Sequence, residues 1–122
     1  MRMSSPIGTR AVVCIGAACV VAHAAAGTAD GFAFDIAAGK FDEHCLKLDA
    51  GEAIRWRFAA TGPVDFNIHV HRGNAVIFPV RRDGMQRASG SFRSRTAEDY
   101  CLMWTNVGGT AVTLHGSVER RP

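Results

Sequence analysis

A chain of 122 residues with 14 Lys+Arg against 11 Asp+Glu is long enough for one domain with one core and too short for two substantial ones. Two of the basic residues, Arg2 and Arg10, belong to an N-terminal segment that reads as a leader. Residues 25–122 therefore keep 12 basic against 11 acidic side chains, and the formal charge falls from +3 to +1. That balance excludes a nucleic-acid reading based on net charge.

Ala11 to Ala22 is an uncharged stretch that leads into Ala22-His23-Ala24-Ala25, the order of basic, apolar and small-residue cleavage regions in a signal peptide. Residues 1–24 are predicted to be that signal, and 25–122 a single domain of a periplasmic or secreted protein. The stretch is Ala/Gly-rich and broken by His23, whereas a membrane span needs roughly 20 consistently apolar residues. No transmembrane segment is expected in the mature chain. Gly16-Ala17-Ala18-Cys19 is a degenerate lipobox, and lipidation at Cys19 is the lesser alternative because the residues after it stay apolar.

Beyond residue 31 the chain is built from short alternating segments. Phe32, Phe34 and Ile36 alternate with Ala33 and Asp35, and Ile54, Trp56 and Phe58 with Arg55 and Arg57. Val64, Phe66, Ile68 and Val70 alternate with Asp65, Asn67, His69 and His71, and Val112, Leu114 and Val118 with polar neighbours. A period of two places one apolar face inward in each segment. Tyr100-Cys101-Leu102-Met103-Trp104 is apolar on both faces, as a covered central strand or a partner-facing one is.

Turn chemistry separates these segments at Ala38-Gly39, Asp49-Ala50-Gly51, Thr61-Gly62-Pro63, Arg72-Gly73-Asn74, Asp83-Gly84, Ser89-Gly90-Ser91 and Gly108-Gly109. The resulting expectation is an all-β fold, an antiparallel sandwich of about eight strands.

Cys14 and Cys19 fall in the leader, which leaves Cys45 and Cys101 as an even pair in an oxidising compartment. A disulfide between them is the expected state, with two separate buried thiols as the alternative. Closing a loop of that length restricts the unfolded chain by roughly 4 kcal/mol in the chain-entropy model.

From Cys45 to about Val118 the chain resembles the GOLD domain, the lumenal β-sandwich of Golgi cargo receptors. The resemblance rests on Cys45-Leu46 before Gly51, the aromatics Trp56 and Phe58, Val64-Asp65-Phe66-Asn67-Ile68, Asn74-Ala75-Val76-Ile77-Phe78, Ser91-Phe92 and Glu98 through Asn106. It implies a jelly-roll or GOLD-like sandwich and a habit of protein or ligand recognition. The family's first cysteine lies about two residues earlier and its second about two later, an opposed shift that keeps both on one face of an antiparallel ladder. The cargo receptors continue into a coiled coil, a membrane helix and a sorting tail. Here Glu119-Arg120-Arg121-Pro122 follows the sandwich, so a transmembrane trafficking role is not expected.

Three constellations bear on function. His69 and His71, two apart in a strand, share a face and form a candidate Zn²⁺ or Cu²⁺ pair. A catalytic zinc site needs three protein ligands, so His115, His44 or Asp65 must join them. Met85 and Met103 are not accompanied by blue-copper spacing. Otherwise the pair is a solvated feature of an outer face.

Arg81, Arg82, Arg87, Arg93 and Arg95, interrupted by Asp83 alone among acids, form a candidate surface for an anionic partner. Arg55 and Arg57 extend it if their strands are neighbours. The competing explanation is a charged edge that blunts aggregation.

No nucleophile elbow, phosphate-binding loop or free nucleophilic cysteine is present, and Asp42-Glu43 and Glu98-Asp99 alternate across strand faces. The sequence therefore reads as a non-catalytic exported interaction module without a cofactor, binding a protein or an anionic ligand. Metal binding through His69 and His71 is the alternative, and a small hydrolase using His115 or His69 beside a carboxylate the third.

Overall fold

The computed structural model describes residues 29–121; the segment expected to be a signal peptide, with Cys14 and Cys19, lies outside the described residues. The polypeptide forms six antiparallel strands: β1 (Ala29–Ile36), β2 (Phe41–Leu48), β3 (Ala53–Arg72), β4 (Ala75–Arg93), β5 (Glu98–Asn106) and β6 (Val112–Arg121). They pair in the order β1-β6-β3-β5-β2, with β4 on the other side of β3. The result is a curled, half-barrel sheet.

The expected count of about eight strands is thus corrected to six, for a specific reason. Thr61-Gly62-Pro63 and Asp83-Gly84 bend strands without ending them. The β3-β4 ladder shifts register between Ala59 and Val64 and again between Val64 and Phe66. Gly84 takes φ 66°, and its N–H donates to Asp65 Oδ1 at 2.8 Å. A bulge of this kind adds residues to one strand and increases its local bend.

The bend lets β3 serve two neighbourhoods. Its first half, Ala53 to Ala60, pairs with β6, and its second, Val64 to His69, pairs with β5. One arm runs β4-β3-β6-β1 and the other β4-β3-β5-β2. Their apolar faces meet in one core. Trp56 lies 4.5 Å from Phe66 between ring centroids, Phe66 5.5 Å from Trp104, and Phe32 of β1 4.8 Å from Trp104 of β5. Trp56, Phe66, Trp104, Ile54, Ile68, Leu102 and Leu114 are all essentially sealed from solvent. Alternation in the sequence had assigned each of the named core residues in β3 and β6 to the inward face.

Cys45 and Cys101 face one another directly in the β2-β5 ladder, with Cα atoms 4.0 Å apart, and are bridged. The same register pairs Glu43 with Met103. A bridge displaced by two residues on each strand therefore falls on facing residues of the same side, as the shift argument requires. Buried Asn106 closes the end of the domain. Its Nδ2 donates to the carbonyls of Ile36 (3.0 Å) and Thr110 (2.8 Å), and its Oδ1 accepts from Gly108 N–H at 2.9 Å.

Two glycines are fixed by close approach. A Cβ on Gly116 would stand 2.2 Å from the Arg57 carbonyl oxygen and 2.8 Å from the Phe32 ring, and one on Gly90 2.6 Å from Trp56. Gly116→Ala and Gly90→Ala are each expected to destabilise the domain by about 1–3 kcal/mol or more in urea titration. Gly109→Ala, which meets nothing within 4 Å, is expected to change little. Cys45→Ala/Cys101→Ala should lower stability by roughly 2–5 kcal/mol in the same assay.

Candidate functional site

The outer faces of the two arms carry two different groups of side chains. On the first arm, Arg57 stands opposite Ser89 of β4 and Ser117 of β6, and Ala59 opposite Arg87 and His115. Residues facing one another across a ladder share a side of the sheet. Arg57, Arg87 and His115, all exposed, therefore project together, with the small Ala59 leaving room between Arg87 and His115. They line a groove of about 680 Å³ with Ser89 and Ser117. The Arg57 Nε–H donates to Ser117 Oγ at 3.1 Å, which orients the guanidinium over the groove. The ion pairs among the described residues are His69–Glu43, Arg72–Glu98, Arg120–Glu52 and Arg121–Glu119; none involves Arg57, Arg87 or His115.

The five arginines grouped by sequence do not make one surface. β4 is an edge strand that spans both arms, so its arginines spread along it and across both faces. Arg81 stacks over Phe78 at 5.1 Å and Arg82 over Trp56 at 5.5 Å. Arg93 donates to the Gly51 carbonyl, which ties the β2–β3 turn. Arg95 is exposed in the connection to β5. Arg87 is the member that joins the groove, and Arg57 extends it because β3 and β4 are neighbours.

On the second arm, β3 and β5 bring His69 opposite Cys101 and Asn67 opposite Met103, while β2 places Glu43 opposite Met103 from the other side. Phe41, Glu43, His69, His71, Val76, Phe78 and Met103 line a shallow depression of about 310 Å³. His69 is only 5% exposed and Asn67 9%, although they lie on the face that alternation assigns to solvent. Phe78 covers His69 at 6.0 Å between ring centroids. The His69 Nδ1 lies 2.8 Å from Asn67 Oδ1. In the tautomer with the proton on Nδ1, the ring donates to Asn67 Oδ1. Nε2 lies 3.8 Å from Glu43 Oε2. Burial pushes the His69 pKa below its ordinary value of 6.5, the Glu43 carboxylate pulls it up, and His71 pushes it down.

His71 is exposed, its ring centroid 5.2 Å from that of His69, so the pair does share a face. His115 does not belong with them: it lies in the basic groove on the other arm. His44 points to the inner side of β2 and packs on Phe32 at 5.4 Å, and Asp65 is engaged with the Gly84 amide. Glu43 and Asn67 went unassigned in the sequence. The even spacing of Asn67, His69 and His71 contained part of the signal, whereas Glu43 is brought in by strand pairing alone. His69 beside Glu43 supplies an imidazole and a carboxylate, a set suited to proton transfer or to metal ligation. Among the described residues no hydroxyl or thiol lines the depression, and Cys101 beside it is bridged.

No family model and no curated protein sequence matches this chain. Solved structures do match, at the level of fold. PliG of Aeromonas hydrophila, a periplasmic inhibitor of g-type lysozyme, superposes with TM-score 0.61 at 14% identity, covering 78% of this chain and 88% of that one. The pre-peptidase C-terminal domain of a Bacillus anthracis collagenase gives 0.59 at 12% identity, over 76% and 90%. The Yersinia pseudotuberculosis-derived mitogen gives 0.55 at 10%, over 78% and 86%. These are small all-β domains, and no GOLD domain is identified among them.

The depressed His69 pKa fixes the sign of a pH effect. Between the folded pKa and 6.5 the unfolded chain binds the extra proton, so stability declines as pH falls below about 7 and levels off beneath the folded pKa. His69→Gln should flatten that part of the profile in chelator-treated buffer, as followed by urea titration from pH 7.5 to 5.

Proposed function

We propose that this protein is an exported, non-catalytic binding module that uses the groove between β4, β3 and β6 to hold an anionic partner, foremost an acidic patch on another protein. The observation that carries the proposal is the convergence of Arg57, Arg87 and His115 from three strands over one groove, with no carboxylate among the described residues in ion-pair range. Two guanidiniums on adjacent strands offer fork-shaped donors that match carboxylate, sulfate or phosphate oxygens. The sheet fixes the backbone positions of the two residues, and the bond to Ser117 restrains the Arg57 guanidinium, which lowers its share of the ordering cost of binding.

The export half of the proposal draws on the leader-like N-terminus and on the Cys45–Cys101 bridge, since disulfides persist in oxidising compartments. The protein-recognition half draws on likeness of fold: PliG inhibits a lysozyme in the periplasm, so a sheet of this shape is compatible with a protein partner. We read the two facing arms as a sandwich of GOLD-like type, joined by the shared hairpin β3-β4. Arg81, Arg82, Arg93 and Arg95 have a different role in this account, as charges along an exposed edge strand that discourage edge-to-edge pairing.

Calorimetric titration of the exported protein with poly-glutamate and with a sulfated polysaccharide tests the proposal. Binding is expected to weaken steeply with salt. Arg57→Glu/Arg87→Glu should reduce affinity at least about tenfold, while Arg95→Glu changes it little. Equal losses in the two variants, or no salt-sensitive binding to either polymer, would overturn the assignment to this groove.

A further inference from the structure

The outer face of the second arm gathers donor atoms of a different kind from those of the groove. His69 Nδ1 is hydrogen-bonded to Asn67 Oδ1, and the second ring nitrogen lies 3.8 Å from a Glu43 carboxylate oxygen. With the proton on Nδ1, Nε2 presents a lone pair beside a carboxylate, the donor pair that a metal ion between them takes up.

We propose that Glu43, His69 and His71 form a three-ligand site for a first-row divalent transition metal ion, Zn²⁺ or Cu²⁺, with Asn67 as the residue that positions His69. The geometry supports each assignment. Donor atoms of Glu43, His69 and Cys101 all lie within 4.8 Å of one another, but Cys101 is bridged and offers no thiolate. Neighbouring ligands on a tetrahedral ion at ~2.0–2.2 Å are roughly 3.3–3.5 Å apart, so the Glu43–His69 separation closes by a few tenths of an ångström. His71 lies outside that tight group and joins by turning about its exposed side-chain bonds. Its ring is at a suitable range. Two imidazoles on one tetrahedral ion have centroids roughly 5 Å apart, against the 5.2 Å found.

Asn67 makes the site more than a surface pair. Metal-ligating histidines hold their second nitrogen in a hydrogen bond that fixes tautomer and ring orientation. Asn67 Oδ1 does this for His69 at 2.8 Å, and both residues are buried. Imidazole and carboxylate donors without thiolate suit zinc or copper(II). The apolar rim of Phe41, Phe78 and Met103 lowers the local dielectric and strengthens the ion's attraction to Glu43. Three protein ligands leave one coordination position for water or for a donor from another molecule. This site is on the opposite arm from the basic groove, so either proposal stands or falls without the other.

The test is calorimetric titration of the oxidised exported protein with Zn²⁺ and with Cu²⁺, without thiol reductant, and electron paramagnetic resonance of the Cu²⁺ form. One ion per chain is expected, with two nitrogen couplings in the copper spectrum. Glu43→Gln and His71→Ala, both at exposed positions that leave the core intact, should each weaken binding at least tenfold. Asn67→Ala should weaken it about 10–100-fold while leaving one ion per chain, and His115→Ala should have no effect. Binding that persists unchanged in Glu43→Gln/His71→Ala, depends on His115, or is not detected at 100-micromolar metal would overturn the site.

Discussion

Strand β3 is the member on which both arms depend, because one continuous backbone donates and accepts in three ladders. A sheet cannot pair Ala53–Ala60 with β6 and Val64–His69 with β5 unless the strand turns sharply between them. Pro63 has no amide hydrogen to give, and Gly62 has no side chain to place. The two residues fall in the segment where pairing changes partner. Asp65 then steadies the matching bend in β4 by accepting the Gly84 amide. Backbone groups that would be orphaned at a break are thereby kept within ladders on either side of it.

Packing follows from the same bend. Curling brings Trp56 and Phe58 of the first half onto Phe66 of the second, and Trp104 fills the angle between them. These rings bury large apolar areas and meet in tilted or edge-on arrangements that their quadrupoles favour. The glycines at 90 and 116 belong to this arrangement, since each lies where a neighbouring ring or carbonyl occupies the space of a side chain. The disulfide has a different location: it lies on the outer side of β2 and β5 and joins strands already hydrogen-bonded to each other. Its contribution is to hold the outer strand β2, and with it Glu43, against β5.

Sequence periodicity made the inner face legible and the outer face only partly so. Alternation is a property of each strand alone, and it correctly divided Ile54, Trp56 and Phe58 from Arg55 and Arg57, and Phe66 and Ile68 from Asn67 and His69. Turn chemistry was less informative, because Gly, Pro and Asp have the same conformational reasons to occupy a bulge as a reversal. That is why Thr61-Gly62-Pro63 and Asp83-Gly84 read as ends of strands. Neighbour relations between strands were invisible except where covalent chemistry declared one, at Cys45 and Cys101. The Glu43–His69 pair, the Arg57–Arg87–His115 convergence and the scattering of the other arginines all depend on those relations. The burial of His69 was missed because Phe78 and Met103 reach it from adjacent strands and not from its own.

A division of labour between faces explains how one small sheet accommodates two unrelated polar groups. Residues that satisfy the core occupy alternate positions of every strand, so the intervening positions are free to vary so long as they do not disturb the ladder. β3 passes through both arms and contributes a central side chain to each outer face, Arg57 to one and His69 to the other. The local surroundings then separate the two by chemistry. Around Arg57 the neighbours are Ser89, Ser117, Ala59, Arg87 and His115, which leave the guanidinium solvated. Around His69 they are Phe78 and Met103, which bury the ring and so lower its pKa, and the Glu43 carboxylate, which raises it. The bend in β3 thus places the basic groove and the His69–Glu43 row on different arms of one domain.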